Sequence, residues 1–442
     1  MVKASSSGWS SGLSGGADTI VARATSSGPA ALAVVRLSGP AVRRIAAEIS
    51  PAADFSEPWR ARLVAIDGLG EQAVAIAFSA PRSYTGEDML ELTVHGSPFV
   101  VRSLIERCIA AGARPAGPGE FTRRAVANGK LDLVQAEAVR DLVGAETAWQ
   151  ARNAREQLSG RLSQRLAGLR GDLVELLARL EASLDFVDHG VELDRAEEAA
   201  RLAGCRERLA ALLDTAAAGE RIRDGVRVVI VGPPNCGKST LFNTLLGNER
   251  AIVAPHPGTT RDVLEAELDI AGLRVTLVDT AGLRDAADPI EEEGVRRARA
   301  AAASASVVVE LWPADAGPGA PAGDGEITTL RVLSKADLPH PVDAGRLPVS
   351  CATGAGIDRL RTALAETVAG GVPDLGGEVA ISHRHRCGLE RAAAELAACD
   401  LAAPELAAES LRCAARELEA LIGVVATDDL LDEVFASFCI GK

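Results

Sequence analysis

Val226-Arg227-Val228-Val229-Ile230-Val231 runs into Gly232-Pro233-Pro234-Asn235-Cys236-Gly237-Lys238-Ser239, which opens onto Thr240-Leu241-Phe242-Asn243-Thr244-Leu245-Leu246. A β-branched run, a GxxxxGKS loop and an apolar helical stretch thus follow in the strand–loop–helix order that phosphate binding requires. The glycines let successive backbone N–H groups turn inward around a β-phosphate. Lys238 neutralises β/γ charge, and the Ser239 hydroxyl can ligate magnesium. A glycine-rich turn without ligand is the plain alternative, and the strand and helix on either side argue against it.

Working outward, three more segments arrive in the order of a guanine-nucleotide switch domain. Gly258-Thr259-Thr260-Arg261-Asp262 can bring a Thr oxygen to the magnesium and γ-phosphate. Asp279-Thr280-Ala281-Gly282 follows the strand-like Arg274 to Val278, placing a carboxylate near the magnesium and the Gly282 N–H near the γ-phosphate. Ser334-Lys335-Ala336-Asp337 is similar to the guanine-reading Asn-Lys-x-Asp. Asp337 can accept the ring N–H and exocyclic amine of guanine, whereas adenine would leave that carboxylate facing an acceptor. Guanine is therefore favoured over adenine. Ser334 departs from the pattern and is expected to be too short for all the contacts an Asn carboxamide makes to base and loop, weakening affinity without changing specificity. Ser350-Cys351-Ala352 stands where a last base-contacting loop belongs, through a backbone N–H of Cys351 or Ala352.

The residue after Gly282 is Leu283, which has no polar atom to orient an attacking water. Asp285, Asp288 and Glu291-Glu292-Glu293 are the nearby carboxylates able to do so. Asn235 offers a hard carbonyl oxygen beside the phosphates, where a monovalent cation could stand in for an arginine finger, although Asn is also a common turn former.

The 442 residues suggest two to four domains at about 150 residues each. Lys and Arg total 47 against 61 Asp and Glu, a net charge of -14 that disfavours a protein coating nucleic acid mainly by neutralising phosphates. Eight cysteines (108, 205, 236, 351, 387, 399, 413 and 439) show no zinc or redox spacing, which disfavours a disulfide framework and fits a reducing compartment. Ten of the first 16 residues are Ser or Gly without an apolar core, so this segment is expected to be a disordered tail rather than a signal peptide. No apolar stretch reaches membrane-spanning length, and a cytoplasmic location is expected.

Asp18 to about Asn128 mixes short apolar runs, such as Ala31–Leu37 and Ala73–Phe78, with the helical spacing of Phe99–Ala111. From about Lys130 to Arg223, and again from Ile381 to Leu431, Ala, Leu, Arg and Glu dominate at three- and four-residue spacing. Val226 to about Gly371 alternates strands and helices. The expected architecture is multidomain α/β: a disordered tail at 1–16, an α+β domain at 17–128, a helical domain split between 129–224 and 372–442, and an inserted Ras-like P-loop domain at 225–371.

Beyond the nucleotide motifs, Ala33–Gly39, Pro81–Asp88, Glu91–Gly96, Pro118–Ala125, Asn128–Glu137 and the terminal Phe438-Cys439-Ile440-Gly441-Lys442 form a specific set. With them the sequence, from about Asp18 to Lys442, closely resembles the tRNA-modifying GTPase family MnmE, also called TrmE. The resemblance implies an N-terminal domain that dimerises and binds a 5-formyl- or methylene-tetrahydrofolate, a discontinuous helical domain, and a potassium-activated G domain. It implies folate contacts at Arg36, Glu91 and Lys130, with Lys442 reaching the same site. It assigns potassium to Asn235 and to oxygens of the loop Ala254-Pro255-His256-Pro257-Gly258-Thr259, magnesium to Ser239 and Thr260, and water activation to Glu291. It also implies that Cys439 is a tail thiol near the folate, acting as a nucleophile toward the wobble uridine. A Cys fourth from the end also fits the outline of a prenylation box, but Gly441 and Lys442 make a poor one. The implied activity is GTP hydrolysis coupled, with an FAD-binding GidA/MnmG-type partner, to adding a carboxymethylaminomethyl-type group at C5 of a tRNA wobble uridine. The implied assembly is a homodimer joined by that partner in a heterotetramer or larger. A regulatory RNA-associated switch without modifying chemistry is the rival reading, and Asp337 opposes an ATPase.

Overall fold

A computed structural model of the chain describes residues 18–185, 194–248, 250–251, 264–279, 305–316, 328–339, 345–369, 381–424, 428–436 and 438–441. The polypeptide divides into two compact units: the first spans 1–140, 163–167 and 418–442, the second 141–162 and 168–417.

In the first unit, β1 (Ile20–Arg23), β2 (Ala30–Ser38), β3 (Arg62–Ile66), β4 (Glu71–Phe78), β5 (Met89–Gly96) and β6 (Arg114–Pro115) form one sheet in the order β3-β4-β5-β2-β1-β6. All neighbours are antiparallel except β1 and β6. Period-two alternation sends Val35, Leu37, Ala73, Ala75, Leu90, Leu92 and Val94 to one face. The helices Val42–Ile49 and Pro98–Ala110 cover that face with Val42, Ile45, Val101, Leu104 and Cys108. Helix Asp428–Ala436 packs Leu431, Val434 and Phe435, with the following Phe438, on Leu133 and Ala136.

In the second unit, β7 (Val226–Val231), β8 (Arg250–Ala251), β9 (Leu264–Ile270), β10 (Leu273–Asp279), β11 (Val307–Pro313), β12 (Thr328–Ser334) and β13 (Leu347–Pro348) form a sheet ordered β13-β12-β11-β7-β10-β9-β8. The five strands from β13 to β10 run parallel, and β9 and β8 add antiparallel pairs. β7 has β10 on one side and β11 on the other, so its carboxyl end is the switch point where an α/β sheet opens a crevice. Near-continuous burial of Val228, Val229, Ile230, Val307, Val309 and Leu311 reflects cover on both faces of such strands.

The two helical textures meet in the same unit. Helix Arg195–Asp214 lies against helix His383–Ala398, and Arg206 donates to the carbonyls of Leu396 and Cys399, each at 3.0 Å. Among the described residues no helix is long and apolar enough to cross a membrane.

Candidate functional site

The loop after β7 is shaped by its backbone. Gly232 has φ +154°, and a Cβ there would stand 2.5 Å from the Leu311 carbonyl oxygen and 2.8 Å from Cys236 Sγ, so only glycine fits. Asn235 takes a left-handed φ of +60°, which Asn tolerates better than most residues. Lys238 opens helix Lys238–Asn248, and its Nζ donates to the carbonyls of Gly232 at 3.0 Å and Pro233 at 2.9 Å. The ammonium is thereby held across the loop, with the Cys236 sulfur 4.0 Å away as a weak acceptor for a further N–H. Cys236 is fully buried, and burial pushes its thiol above the usual range, so it serves as a small apolar filler.

Asp279 ends β10 opposite Ile230 of β7 and is wholly buried. A hydroxyl at Ser239 and a carboxylate at Asp279 are the hard oxygen donors that suit magnesium, which is commonly held by one or two protein groups plus substrate phosphates. The donor set fits that ion.

At the base end, Ser334 makes one contact to the phosphate loop. Its Oγ donates to the Cys236 carbonyl at 2.6 Å in a buried setting, so the short side chain does tie its segment to the phosphate loop. β12 ends close enough to the loop that the extra reach of an Asn is not needed for this contact. The hydroxyl still lacks the second donor a carboxamide would offer to the base. Lys335 adopts φ +56°, and its Nζ pairs with Asp315 at 3.1 Å. Ala336 N–H donates to the Val349 carbonyl at 3.1 Å. Asp337 is exposed, and the Ser350 hydroxyl donates to its Oδ1 at 2.6 Å, holding the carboxyl below the usual carboxylate range. Ser350 Oγ also accepts from Thr353 N–H at 3.2 Å. The sequence suggested only backbone contacts from Cys351 and Ala352; fixing Asp337 through the Ser350 side chain was not foreseen, because Ser350 lies 13 residues downstream and reaches it only in the fold.

A second constellation lies in the first unit. Arg36 and Glu91 are cross-strand partners on β2 and β5 and form an ion pair at 2.7 Å. The Arg36 guanidinium carbon stands 5.6 Å from the Tyr84 ring centre and 5.7 Å from that of Phe121. Arg36 Nη1 donates to the Gly441 carbonyl at 3.3 Å. The C-terminal tail is seated here: Ile440 bridges Pro118 antiparallel, and Gly119 N–H donates to the Cys439 carbonyl at 3.3 Å. A Cβ on Gly441 would lie 2.1 Å from the Arg23 carbonyl oxygen, so glycine is required for the tail to dock. Cys439 is exposed. Lys130 donates to the Pro81 carbonyl at 3.2 Å, anchoring the far end of the loop that carries Tyr84. Tyr84 is the chain's single tyrosine, within a motif noted from sequence, and that rarity was the available signal for it.

This loop rests on an ionic network centred on the buried Arg124 and Glu120. Arg124 pairs with Glu87 at 3.1 Å, Asp18 at 2.7 Å and Glu120 at 3.2 Å, and Glu87 also accepts from Ser38 Oγ at 2.7 Å. Arg114 pairs with Asp18 and Glu120. Burial alone would raise the carboxyls of Asp18 and Glu120, but Arg114 and Arg124 bring both below their usual range.

Ala254, Pro255, His256, Pro257, Gly258, Thr259, Thr260, Thr280, Ala281, Gly282, Glu291 and Lys442 lie outside the described residues, as does the segment 1–16. The fold therefore brings Asn235–Thr240, Asp279, Ser334–Asp337 and Ser350–Ala352 to one sheet end, and Arg36, Glu91 and the Cys439 tail to the other site.

Comparison with known proteins matches residues 19–130 to the model of the GTP-binding protein TrmE N-terminus and residues 133–439 to that of the MnmE helical domain. The tRNA modification GTPase MnmE of Phenylobacterium zucineum is 45% identical, the match covering 96% of this chain and 100% of that protein. The protein of the same name from Thermus thermophilus is 42% identical over 96% and 99%. Among solved structures, the match to the FeoB G domain of Methanococcus jannaschii covers 32% of this chain and 97% of that one at 24% identity, with a TM-score of 0.24. On the strength of the two family models and of full-length relatives above 40% identity, the chain belongs to the MnmE (TrmE) family, whose members are named tRNA modification GTPases.

Proposed function

We propose that this chain is a potassium-activated GTP hydrolase that, with an FAD-binding GidA/MnmG-type partner, adds a carboxymethylaminomethyl-type group to C5 of the tRNA wobble uridine. The observation that carries the nucleotide half is the single assembly of Lys238, Ser334 and Asp337, tied by the Ser334–Cys236 bond and set by Ser350. Asp337 would read guanine, the loop N–H groups and Lys238 would hold the β- and γ-phosphates, and Ser239 and Thr260 would hold magnesium. Magnesium supplies charge neutralisation on the phosphate oxygens. Asn235, with oxygens of Ala254, His256 and Thr259, would hold potassium, and the exposed left-handed placement of Asn235 is compatible with a carboxamide offered to a cation. Glu291 would orient the water that attacks the γ-phosphorus as GDP leaves.

Arg36 and Glu91, flanked by Tyr84 and Phe121, suit a flat heterocycle with a donor edge and an anionic tail, which is the chemistry of a reduced folate. Lys130 and Lys442 would add cationic contacts. The folate supplies a one-carbon unit when bound. The docked tail keeps Cys439 at the surface two residues from the carbonyl that Arg36 contacts. Leu63 and Val74, exposed cross-strand neighbours on β3 and β4, support dimerisation through the N-terminal sheet. The division at 17–128, 129–224, 225–371 and 372–442 and a cytoplasmic location belong to the same reading.

GTP turnover in potassium against sodium chloride at equal ionic strength, with ATP as control, tests it. Activation by potassium alone, and only with GTP, is the expected result. Equal rates in both salts would remove the cation mechanism. Failure of the full-length chain to bind formyl-tetrahydrofolate would favour a regulatory switch without modifying chemistry.

A further inference from the structure

Outside both sites, the helix His383–Ala398 opens with His383 and carries Cys387 one turn later on the same side. Cys387 Sγ is 3.5 Å from His383 Nε2. On the other side of the ring, His383 Nδ1 is 3.4 Å from Glu220 Oε1 on the helix Ala216–Asp224. A thiol, an imidazole and a carboxylate thus stand in the sequence nucleophile, base and orienting group. Arg386 flanks the ring, with Nη2 3.0 Å from His383 Nδ1 and 3.2 Å from Glu220, and Asp224 interacts electrostatically with His383. Arg391, one turn beyond Cys387, is ion-paired with Glu417 at 2.8 Å.

The other described cysteines differ. Cys108, Cys205, Cys236 and Cys399 are buried. Burial holds the thiol of Cys351 above its usual range, and Cys413 is likewise raised by burial and by the Glu409 carboxylate. Cys439 is exposed, but no base is seen beside its thiol among the described residues. His383 is largely exposed and Cys387 partly so, leaving the pair open to small solutes.

We propose that Cys387 is the reactive thiol of this chain, a modification site for low-molecular-weight disulfides, with His383 as base and Glu220 as positioning residue. In the tautomer that carries its hydrogen on Nδ1, aimed at Glu220 while Arg386 Nη2 turns from the ring to that carboxylate, His383 Nε2 accepts the proton of the Cys387 thiol. The thiolate attacks one sulfur of the disulfide, and the new S–S bond forms as the old one breaks. The second sulfur departs as a thiolate and takes up a proton. Cys387 is oxidised and the incoming disulfide is reduced, so no further oxidant is needed.

The test treats the full chain with glutathione disulfide near neutral pH and follows mixed-disulfide formation at each cysteine by mass spectrometry. Cys387 is expected to react about tenfold faster than Cys439. His383→Ala should slow Cys387 by a similar factor while the Cys439 rate stays constant, and Glu220→Gln should slow it by less. Should His383→Ala fold poorly, the wild-type ratio and Glu220→Gln decide the matter. Equal or faster reaction at Cys439, or a Cys387 rate unaffected by the variants, would overturn the assignment.

Discussion

The phosphate loop and the Arg36 site are built in opposite ways. The loop is made by backbone at Gly232, Asn235 and Gly237 within one short stretch; Cys236 fills space inside it, and Ser334 at the end of β12 bonds the Cys236 carbonyl. The Arg36 site is made by side chains drawn from β2, β5, the Tyr84 loop and the helix Glu120–Ala127, joined by a backbone carbonyl of the tail 405 residues away and resting on charged supports. A site made of main chain tolerates side-chain variation and fails at glycine or at its one essential charge. A site made of side chains spreads its vulnerability through the supports that aim them.

Variants can break that contrast or sharpen it. The largest effect is expected for Lys238→Ala, which should cut GTP turnover about 10³-fold or more with the fold intact, as read by steady-state kinetics and circular dichroism. A small loss would mean the loop needs no cation. Arg124→Ala should come next, destabilising the chain by about 3 kcal/mol in denaturant titration, because the largely buried Glu87 loses its arginine partner and Glu120 keeps only Arg114. The wild-type network should also fail in acid. Its carboxylates have folded pKa values below the unfolded ones, so their contribution is present above about pH 4 and is lost as pH falls through the lowered values. The stability difference between wild type and Arg124→Ala should therefore shrink as pH falls.

Glu91→Gln should weaken formyl-tetrahydrofolate binding about tenfold in calorimetry while nucleotide affinity stays within twofold, since the two sites share no residue. Ser334→Ala should lower GDP affinity about fivefold by removing the bond to the Cys236 carbonyl. The smallest effect is expected for Ser350→Ala. It removes the hydrogen bond that holds Asp337 in its low-pKa form, so the acid limb of GDP binding should shift to higher pH with little change near neutrality.

The motif loop, the Asp279 turn and the Lys335–Asp337 motif were legible because each is local: a few consecutive residues dictate both conformation and chemistry. The helical textures were legible because 3.6-residue periodicity survives whatever the partner is. Arg36 and Glu91 came from the resemblance, since nothing local in either strand announces a site. Only the tertiary structure decided that these two are cross-strand partners, that Ser334 reaches Cys236 across 98 residues, that Ser350 aims Asp337, and that Glu220 stands behind His383 across 163. The physical reason is range. Backbone preference and hydrophobic period act over a few residues and are written in order along the chain, whereas hydrogen bonds and ion pairs depend on which atoms packing leaves within about 3 Å, and packing is fixed by the whole fold.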